Sequence, residues 1–175
     1  MKRFLRKIAS IGLFLVIVLG IAYLVVSILM VKTVVQGDSM SPILEDGDVL
    51  MCNKVTYNFN PPERFDIVVV PAKDGTYIVK RVIGLPGERI KIDNFGKVEI
   101  NDKILENDKG IGYILDKGNA KDTITLGMDE FFVMGDNRNS SIDSRFDEVG
   151  PIRRSEFVGK VVFRIMPFDR TGKIE

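Results

Sequence analysis

The chain has 175 residues, of which 45% are hydrophobic and 28% are charged, a composition typical of one folded domain and not of a disordered chain. Its basic excess is confined to residues 1–31, which hold four basic side chains and no acid, whereas residues 32–175 carry a net charge of −3. Because nucleic-acid binding needs a basic surface, this mildly acidic body predicts no nucleic-acid partner.

The absence of histidine and the presence of a single cysteine restrict the reactions that this chain can catalyse. There is no histidine, which excludes a Ser-His-Asp triad, a Cys-His pair and any histidine-ligated metal site. Cys52 is the single cysteine, which excludes an intrachain disulfide and a paired-cysteine metal or redox site, and we expect it to be a buried strand residue. We therefore expect no cofactor and no metal, and an enzyme built from this chain must take its base from lysine, a carboxylate or tyrosine.

Residues 8–31 form an apolar stretch of 24 residues, interrupted only by small residues. As a helix it is about 36 Å long, enough to cross a hydrocarbon core of about 30 Å. The alternative is a cleavable signal peptide, but the apolar core of such a peptide has about 7–15 residues, and no convincing small-x-small cleavage site follows this stretch. The pattern predicts an uncleaved transmembrane helix.

The charges around this stretch predict its orientation. Four basic residues precede it, and only Lys32 closely follows it. Because basic residues favour the cytoplasmic side, we expect a single-pass protein of the cell membrane with a cytoplasmic amino terminus. Residues 1–31 then form the tail and the anchor in the lipid bilayer, and residues 32–175 form one extracytoplasmic domain.

The rest of the chain has the pattern of β structure, with short β-branched and aromatic runs separated by turn residues. Residues 106–121 are rich in glycine, aspartate and lysine and predict an extended excursion. The spacing predicts a mainly β fold, in which the transmembrane helix is followed by an all-β barrel or sandwich. Strands are predicted at residues 33–36, 49–55, 67–70, 77–83, 89–92, 97–100, 103–105, 123–126, 131–134 and 157–165.

The first candidate catalytic segment is Gln-Gly-Asp-Ser-Met-Ser-Pro at residues 36–42. Glycine and proline around Ser39 predict a tight bend after a strand. A turn serine without a chemical role is the simpler interpretation of this segment alone. Its position favours a chemical role, because Ser39 is held within a few residues of the bilayer surface, beside the apolar Met40.

The second segment is the predicted strand at residues 77–83. Alternate side chains of a strand share a face, so Lys80 lies with Ile78 and Val82. Burial between two branched apolar residues lowers the pKa of a lysine, and a drop of roughly 2–3 units from about 10.4 would make Lys80 a base at neutral pH. The alternative is a lysine whose stem lies along the strand while its ammonium reaches water.

The third segment is Gly-Asp-Asn-Arg-Asn-Ser-Ser-Ile-Asp-Ser-Arg at residues 135–145. It does not have the register of a calcium-binding loop, and a polar loop that solvates a strand end is the simpler alternative. Asp143 and Arg145 are two residues apart and are expected to pair and brace the loop. Ser141 or Ser144 is expected to form a hydrogen bond with a neighbouring lysine.

These three segments, in this order behind one amino-terminal span, resemble bacterial type I signal peptidase. Residues 64–70 resemble the strand of that family that lies between the serine and lysine segments, and the likeness extends to the last predicted strand. The resemblance implies a Ser-Lys dyad that removes signal peptides from exported preproteins, which would be the substrates, with the export translocon as a further partner.

The resemblance also implies a role for each matching residue. Ser39 is the nucleophile and Lys80 is the general base, a known substitute for histidine. Ser141 falls where the family places a serine that orients the lysine. Asp143 and Arg145 fall on the structural acid and base around the site.

One position departs from the family pattern. Some members have a serine two residues before the nucleophile, whose hydroxyl helps to bind the oxyanion, but this chain has Gly37 there. The backbone N–H of Ser39 remains as one donor, and the second donor is left open.

The resemblance also leads to an expectation about substrate binding. The substrate is expected to enter as an extended strand beside residues 33–38 and 77–80, paired with their edges. Shallow apolar pockets formed by Met40, Leu44, Ile78 and their neighbours would select small substrate side chains.

Three alternative functions fit parts of this pattern. A self-cleaving repressor of the LexA type also uses a Ser-Lys pair on a β body, but it carries a DNA-binding domain and no membrane span. A protease dedicated to a single secretion or conjugation substrate can share the dyad. A membrane-tethered β module that only binds peptides would contain an inert pair.

Overall fold

The computed structural model describes residues 2–174. Helix α1 spans Lys2–Leu29, and its segment Ser10–Leu29 is long and apolar enough to cross a membrane. The helix ends two residues before the end of the predicted span, because Met30 and Val31 already pair with Asn53 and Cys52 in a sheet. The first strand therefore begins at the helix end, three residues earlier than the sequence predicts.

The remainder is mainly β, which confirms the predicted fold class. Each of the ten predicted strands overlaps an observed one. Two additional strands have two residues each, too short for a detectable alternation, and one turn of α-helix and four short 3₁₀-helical segments were not predicted. The strands are β1 Met30–Val34, β2 Val49–Asn53, β3 Ile67–Pro71, β4 Tyr77–Gly84, β5 Arg89–Ile92, β6 Val98–Ile100, β7 Lys103–Ile104, β8 Ile124–Thr125, β9 Glu130–Met134, β10 Ile152–Arg153, β11 Gly159–Met166 and β12 Gly172–Lys173, and the turn is α2 Thr56–Phe59.

The strands form two antiparallel sheets. The larger has the order β1-β2-β11-β3-β4-β9-β10, with β12 added to β11, and the smaller has the order β7-β6-β5-β8. Strand β1 is an edge, and β9 pairs only with the second half of β4, from Arg81 onward. Residues next to β1 and residues of the first half of β4 line one common cavity, so the larger sheet curls until these two free edges face each other.

Side-chain alternation divides the core into clusters on the two faces of the larger sheet. In β3, Ile67 and Val69 pack into a first cluster, whereas Val68 and Val70 pack into a second. A third cluster joins the end of β4 to the smaller sheet. Cys52 is fully buried in the first cluster, and this burial raises the pKa of its thiol to about 12, which keeps it protonated and unreactive.

Candidate active site

The structure brings Ser39 and Lys80 into direct contact. Ser39 lies in the turn that follows β1, and Lys80 lies in β4, where it is opposite Val68 of β3. The Nζ atom of Lys80 is 2.7 Å from the Oγ atom of Ser39. Residues 41 positions apart in the chain thus form a hydrogen-bonded pair, with a partly exposed serine and a buried lysine.

The environment of Lys80 favours its neutral form. Its side chain is only 3% exposed, and burial lowers its pKa from 10.5 to about 8. The negative charge of Asp143 opposes this shift, Arg145 adds to it, and Asp136 opposes it. Desolvation is the largest of these effects, so a substantial fraction of the Lys80 amine is unprotonated near pH 8.

The next residue, Arg81, forms a buried ion pair that the sequence does not predict. Its Nε and Nη2 atoms donate to the two carboxylate oxygens of Asp136 at 2.8 and 2.7 Å, and both side chains are about 1% exposed. A third donor, Nη1, binds the carbonyl oxygen of Phe65. This pair joins β4 to the polar loop at residues 135–145 and thereby fixes the loop beside Lys80.

The predicted pairing of Asp143 with Arg145 is present. Arg145 Nε and Nη2 donate to Asp143 Oδ1 and Oδ2 at 2.8 and 2.9 Å, and both residues are fully buried. The hydroxyl of Ser141 donates to Asp143 Oδ2 at 2.8 Å. Ser144 Oγ instead accepts from the N–H of Val133 at 3.0 Å, which fastens the loop to β9.

The predicted hydrogen bond between a loop serine and the lysine is absent among the described residues. The Ser141 proton is directed to Asp143, so the Ser141 oxygen keeps its lone pairs for another donor. Asp143 lies close enough to Lys80 to affect its pKa. The lysine-orienting role of Ser141 therefore stays a prediction.

Asn137 and Gly135, to which the sequence assigned no individual role, lie against the serine turn. Asn137 donates its backbone N–H to the carbonyl oxygen of Ser39 at 3.0 Å and its side-chain Nδ2 to that of Asp38 at 3.2 Å. A Cβ atom at Gly135 would overlap both that carbonyl of Ser39 and the hydroxyl of Ser141. No local sequence pattern around Asn137 predicts its contact with Asp38, which lies 99 positions earlier in the chain.

The excursion at residues 106–121 packs against the same loop. Asp108 forms a two-point ion pair with Arg138, and the carbonyl of Asp116 accepts from Arg145 Nη1 at 2.8 Å. The side chain of Asn139 bonds the backbone of both Tyr113 and Leu115. The excursion is therefore a brace for residues 135–145.

A cavity of about 180 Å³ adjoins the Ser39–Lys80 pair, and Ile78 is one of its lining residues, while its role in a substrate pocket stays a prediction. Met40 and Leu44 have no exposed surface and belong to the first core cluster, so they cannot contact a substrate in this conformation. Their apolar character serves the core under the serine turn, and the residues that line the cavity are instead Val34, Val35, Gln36, Ser39 and Thr76 to Lys80.

Gly37 adopts a backbone conformation that favours glycine. Its φ is +76°, and its N–H donates to Asp46 Oδ1 at 2.7 Å. The position thus shapes the serine turn and offers no side-chain donor.

In the part of the chain that the structure describes, no group of three or more potential metal-ligating side chains occurs.

Comparison with known proteins identifies the family. The profile described as "Signal peptidase, peptidase S26" matches residues 8–166. The chain belongs to the signal peptidase I family. The signal peptidase I of Leptolyngbya laminosa is 36% identical over 181 residues, which cover 97% of this chain and 83% of that protein. The signal peptidase I of Bacillus caldolyticus is 40% identical over 147 residues, which cover 77% of this chain and 79% of that protein.

A crystal structure of a signal peptidase I from Enterococcus faecalis has 27% sequence identity and a TM-score of 0.47, covering 58% of this chain and 97% of that chain. Membership of the signal peptidase I family confirms the resemblance drawn from the sequence motifs. It makes the chain a hydrolase of peptide bonds, and it excludes a repressor of the LexA type. The long apolar helix α1 agrees with a membrane-anchored signal peptidase I.

Proposed function

We propose that this protein is a serine endopeptidase that removes signal peptides from exported preproteins, with Ser39 as nucleophile and Lys80 as general base. The observation that supports these roles is the 2.7 Å contact between Lys80 Nζ and Ser39 Oγ. Burial lowers the pKa of this lysine to about 8. A lysine at its ordinary pKa would be protonated and unable to accept the serine proton at neutral pH.

The contact supports a sequence of proton transfers. Neutral Lys80 takes the proton of Ser39 as Oγ attacks the scissile carbonyl carbon, and the resulting ammonium gives that proton to the leaving amine as the C–N bond breaks. The acyl-enzyme then reacts with water, whose proton passes to Lys80 as the new C–O bond forms. When the acyl group leaves, Ser39 regains its proton from Lys80 and the neutral amine is restored.

The backbone N–H of Ser39 is the donor proposed for the oxyanion. Asn137 supports this role, because it holds the carbonyl oxygens on both sides of Ser39 and so fixes the peptide plane that carries the N–H. A single oxyanion donor contributes about 10²–10³-fold in rate, so this orientation matters. Ser141, Asp143 and Arg145 are proposed to position Lys80 and to balance the charge around it.

The free edges of β1 and β4 support binding of the substrate as an added strand. Successive antiparallel pairings from β1 through β2, β11 and β3 make β1 and β4 parallel to each other. A signal peptide whose amino terminus is cytoplasmic leaves the bilayer in the same direction as α1. Its cleavage region is therefore proposed to run parallel to β1, with Ile78 in the wall of the cleft that receives small side chains.

The basic residues of α1 that precede its apolar segment Ser10–Leu29 support an orientation in which the amino terminus is cytoplasmic and the β domain is extracytoplasmic. In that orientation α1 anchors the chain in the lipid bilayer, and the β domain, which begins with β1 at Met30, acts at the surface where preproteins emerge. The export translocon is proposed as a neighbour that delivers those preproteins.

Replacement of Ser39 tests the proposed function. We expect Ser39→Ala to lower cleavage of a fluorogenic Ala-x-Ala peptide, and of a preprotein in vesicles, by at least about 10³-fold. Ser41→Ala is the matched control, because Lys80 donates to Ser39 and the hydroxyl of Ser41 takes part in none of the hydrogen bonds that the structure describes, and this variant should cleave at close to the wild-type rate. Turnover by Ser39→Ala at the wild-type rate would exclude the nucleophile, and a wild-type chain that is inactive at every pH would be the inert binding module.

The pH dependence of peptide cleavage tests the base. Only the neutral amine accepts a proton, so kcat/KM should rise about tenfold per pH unit below pH 8 and level off above it. Initial rates between pH 6 and 10 measure this limb, while circular dichroism reports whether the chain stays folded. A midpoint near 10.5, the ordinary lysine value, contradicts a desolvated Lys80.

A further inference from the structure

Two further cavities adjoin the one beside the serine and lysine pair. A cavity of about 330 Å³ shares Thr76 and Ile78 with it, and therefore lies next to the first half of β4. A larger cavity of about 500 Å³ in turn shares Ile142 and Glu148 with this second one. We call these two further cavities together the β4 groove.

A substrate strand cannot continue along the edge of β4 beyond Lys80. Strand β9 occupies that edge from Arg81 onward, so a chain that runs parallel to β4 must leave the sheet at the Ser39–Lys80 pair. The β4 groove opens at this point. Ser141 lines the groove, and it lies near Ser39, because a Cβ atom at Gly135 would overlap both the Ser141 hydroxyl and the Ser39 carbonyl oxygen.

The β4 groove combines apolar walls with a carboxylate that both of its cavities share. Ile78, Ile142 and Val149 are among the lining residues, and Glu148 is the acidic residue common to the two cavities. The Glu148 side chain is exposed, and its carboxylate forms no hydrogen bond or ion pair with any residue that the structure describes. This carboxylate is therefore available to a chain that passes through the groove.

The other charges that line the groove do not offset this carboxylate. Arg138 is already neutralised by its two-point ion pair with Asp108. Asp116 lines the larger cavity, and Asp74 and Lys73 line the smaller one. Hydrogen bonds from Thr76 lower the pKa of Asp74, which keeps it ionised at neutral pH. With the shared carboxylate included, the groove has a net charge of −2, which favours a basic ligand.

We propose that the first residues of the mature protein, those that follow the cleaved bond, leave through the β4 groove and that Glu148 reads their charge. Cleavage is then faster when one of these residues is basic and slower when it is acidic. This inference rests on the function proposed above for Ser39 and Lys80. Glu148 determines specificity and takes no part in the proton transfers.

Peptides that differ in one residue test this role. Each internally quenched peptide has the same Ala-x-Ala sequence before the cleaved bond and carries lysine, glutamine or glutamate at the second, third or fourth position after it. At one of these positions we expect kcat/KM of the full-length enzyme in detergent to be roughly fivefold higher with lysine than with glutamate. Attraction and repulsion at an exposed carboxylate each contribute about two- to threefold to that ratio.

Variants assign the preference to one side chain. Glu148→Gln should bring the ratio of lysine to glutamate peptides close to one, and Glu148→Lys should invert it. Glu106→Gln is the matched control, because Glu106 is exposed and lines neither cavity of the groove, and it should keep the wild-type ratio.

The outcomes separate this inference from the function on which it rests. Wild-type enzyme that cleaves all the peptides without a charge preference, or a Glu148→Gln enzyme that retains the preference, overturns the role of Glu148 and leaves the proposed peptidase intact. If the wild-type enzyme cleaves none of the peptides, the proposed function fails and the role of Glu148 fails with it.

Discussion

Lys80→Met is expected to inactivate the enzyme and to stabilise its fold at neutral pH. Removal of a general base costs about 10²–10⁴-fold in rate. Holding an ammonium in a site that lowers its pKa from 10.5 to about 8 destabilises the folded state by about 3 kcal/mol at pH 7. Methionine fills a similar volume without a charge, although it loses the bond to Ser39, so a net gain of about 2 kcal/mol remains.

The pH dependence of this gain identifies its cause. The unfolded chain binds the Lys80 proton more tightly than the folded chain, so wild-type stability is lowest below pH 8 and rises as the pH increases toward 10.5. Thermal unfolding of the full chain in detergent, followed by circular dichroism, should show Lys80→Met melting about 4–8 °C above the wild type at pH 7. The difference should shrink by pH 10.

Lys91→Met is the matched control for this experiment. Lys91 is exposed on β5, so its replacement removes a charge from the surface without relieving any burial, and it should leave both activity and melting temperature nearly unchanged. Peptide cleavage by Lys80→Met at the wild-type rate would eliminate the proposed base. A melting difference that grows with pH would show that the amine is not desolvated in the folded chain.

Gly135→Ala is expected to disturb the site by one methyl group. Its Cβ atom would overlap the carbonyl oxygen of Ser39 and the hydroxyl of Ser141, so either the serine turn or the loop must move. A displacement of about 1 Å in a catalytic arrangement costs about 10²-fold in rate, and overpacking costs about 1–3 kcal/mol of stability. We expect kcat/KM for the Ala-x-Ala peptide to fall about 100-fold while the protein remains folded.

Gly172→Ala is the control for this substitution. A Cβ atom at Gly172 meets nothing within 4 Å, so the same change of residue should leave the rate constant for peptide cleavage close to that of the wild type. The comparison separates a steric effect at the site from the general effect of replacing glycine. An active, fully stable Gly135→Ala enzyme would mean that the loop moves aside freely, against the bracing role assigned to Arg81 and Asp136.

Strand positions were predictable because alternation and turn residues are local signals. The sequence places β5 at residues 89–92, as observed, and its other predicted strands overlap observed ones. The start of β1 was not predictable, because the apolar residues Met30 and Val31 suit a membrane helix and a strand equally well. Their pairing with β2 assigns them to the sheet.

The motifs directed attention to Ser39, Lys80 and the polar loop, but not to the contacts that hold them together. The ion pair of Arg81 with Asp136 joins residues 55 positions apart, and Asn137 binds the backbone of a turn 98 positions earlier. The assignment of Met40 and Leu44 to a substrate pocket had the same weakness, since an apolar residue beside a catalytic turn fits a pocket wall and a core equally well. Their complete burial assigns them to the core.

The sequence by itself determined that this protein carries a membrane-length apolar stretch, that any base must be something other than histidine, and which serine and lysine match a known family. These are properties of composition and order along the chain. Only the tertiary structure decided that the amine of Lys80 meets the hydroxyl of Ser39 and that the pKa of Lys80 is lowered. Burial is a property of packing, and the segments that surround this lysine come from β1, β3, β9 and the loop beyond, so no local pattern encodes it.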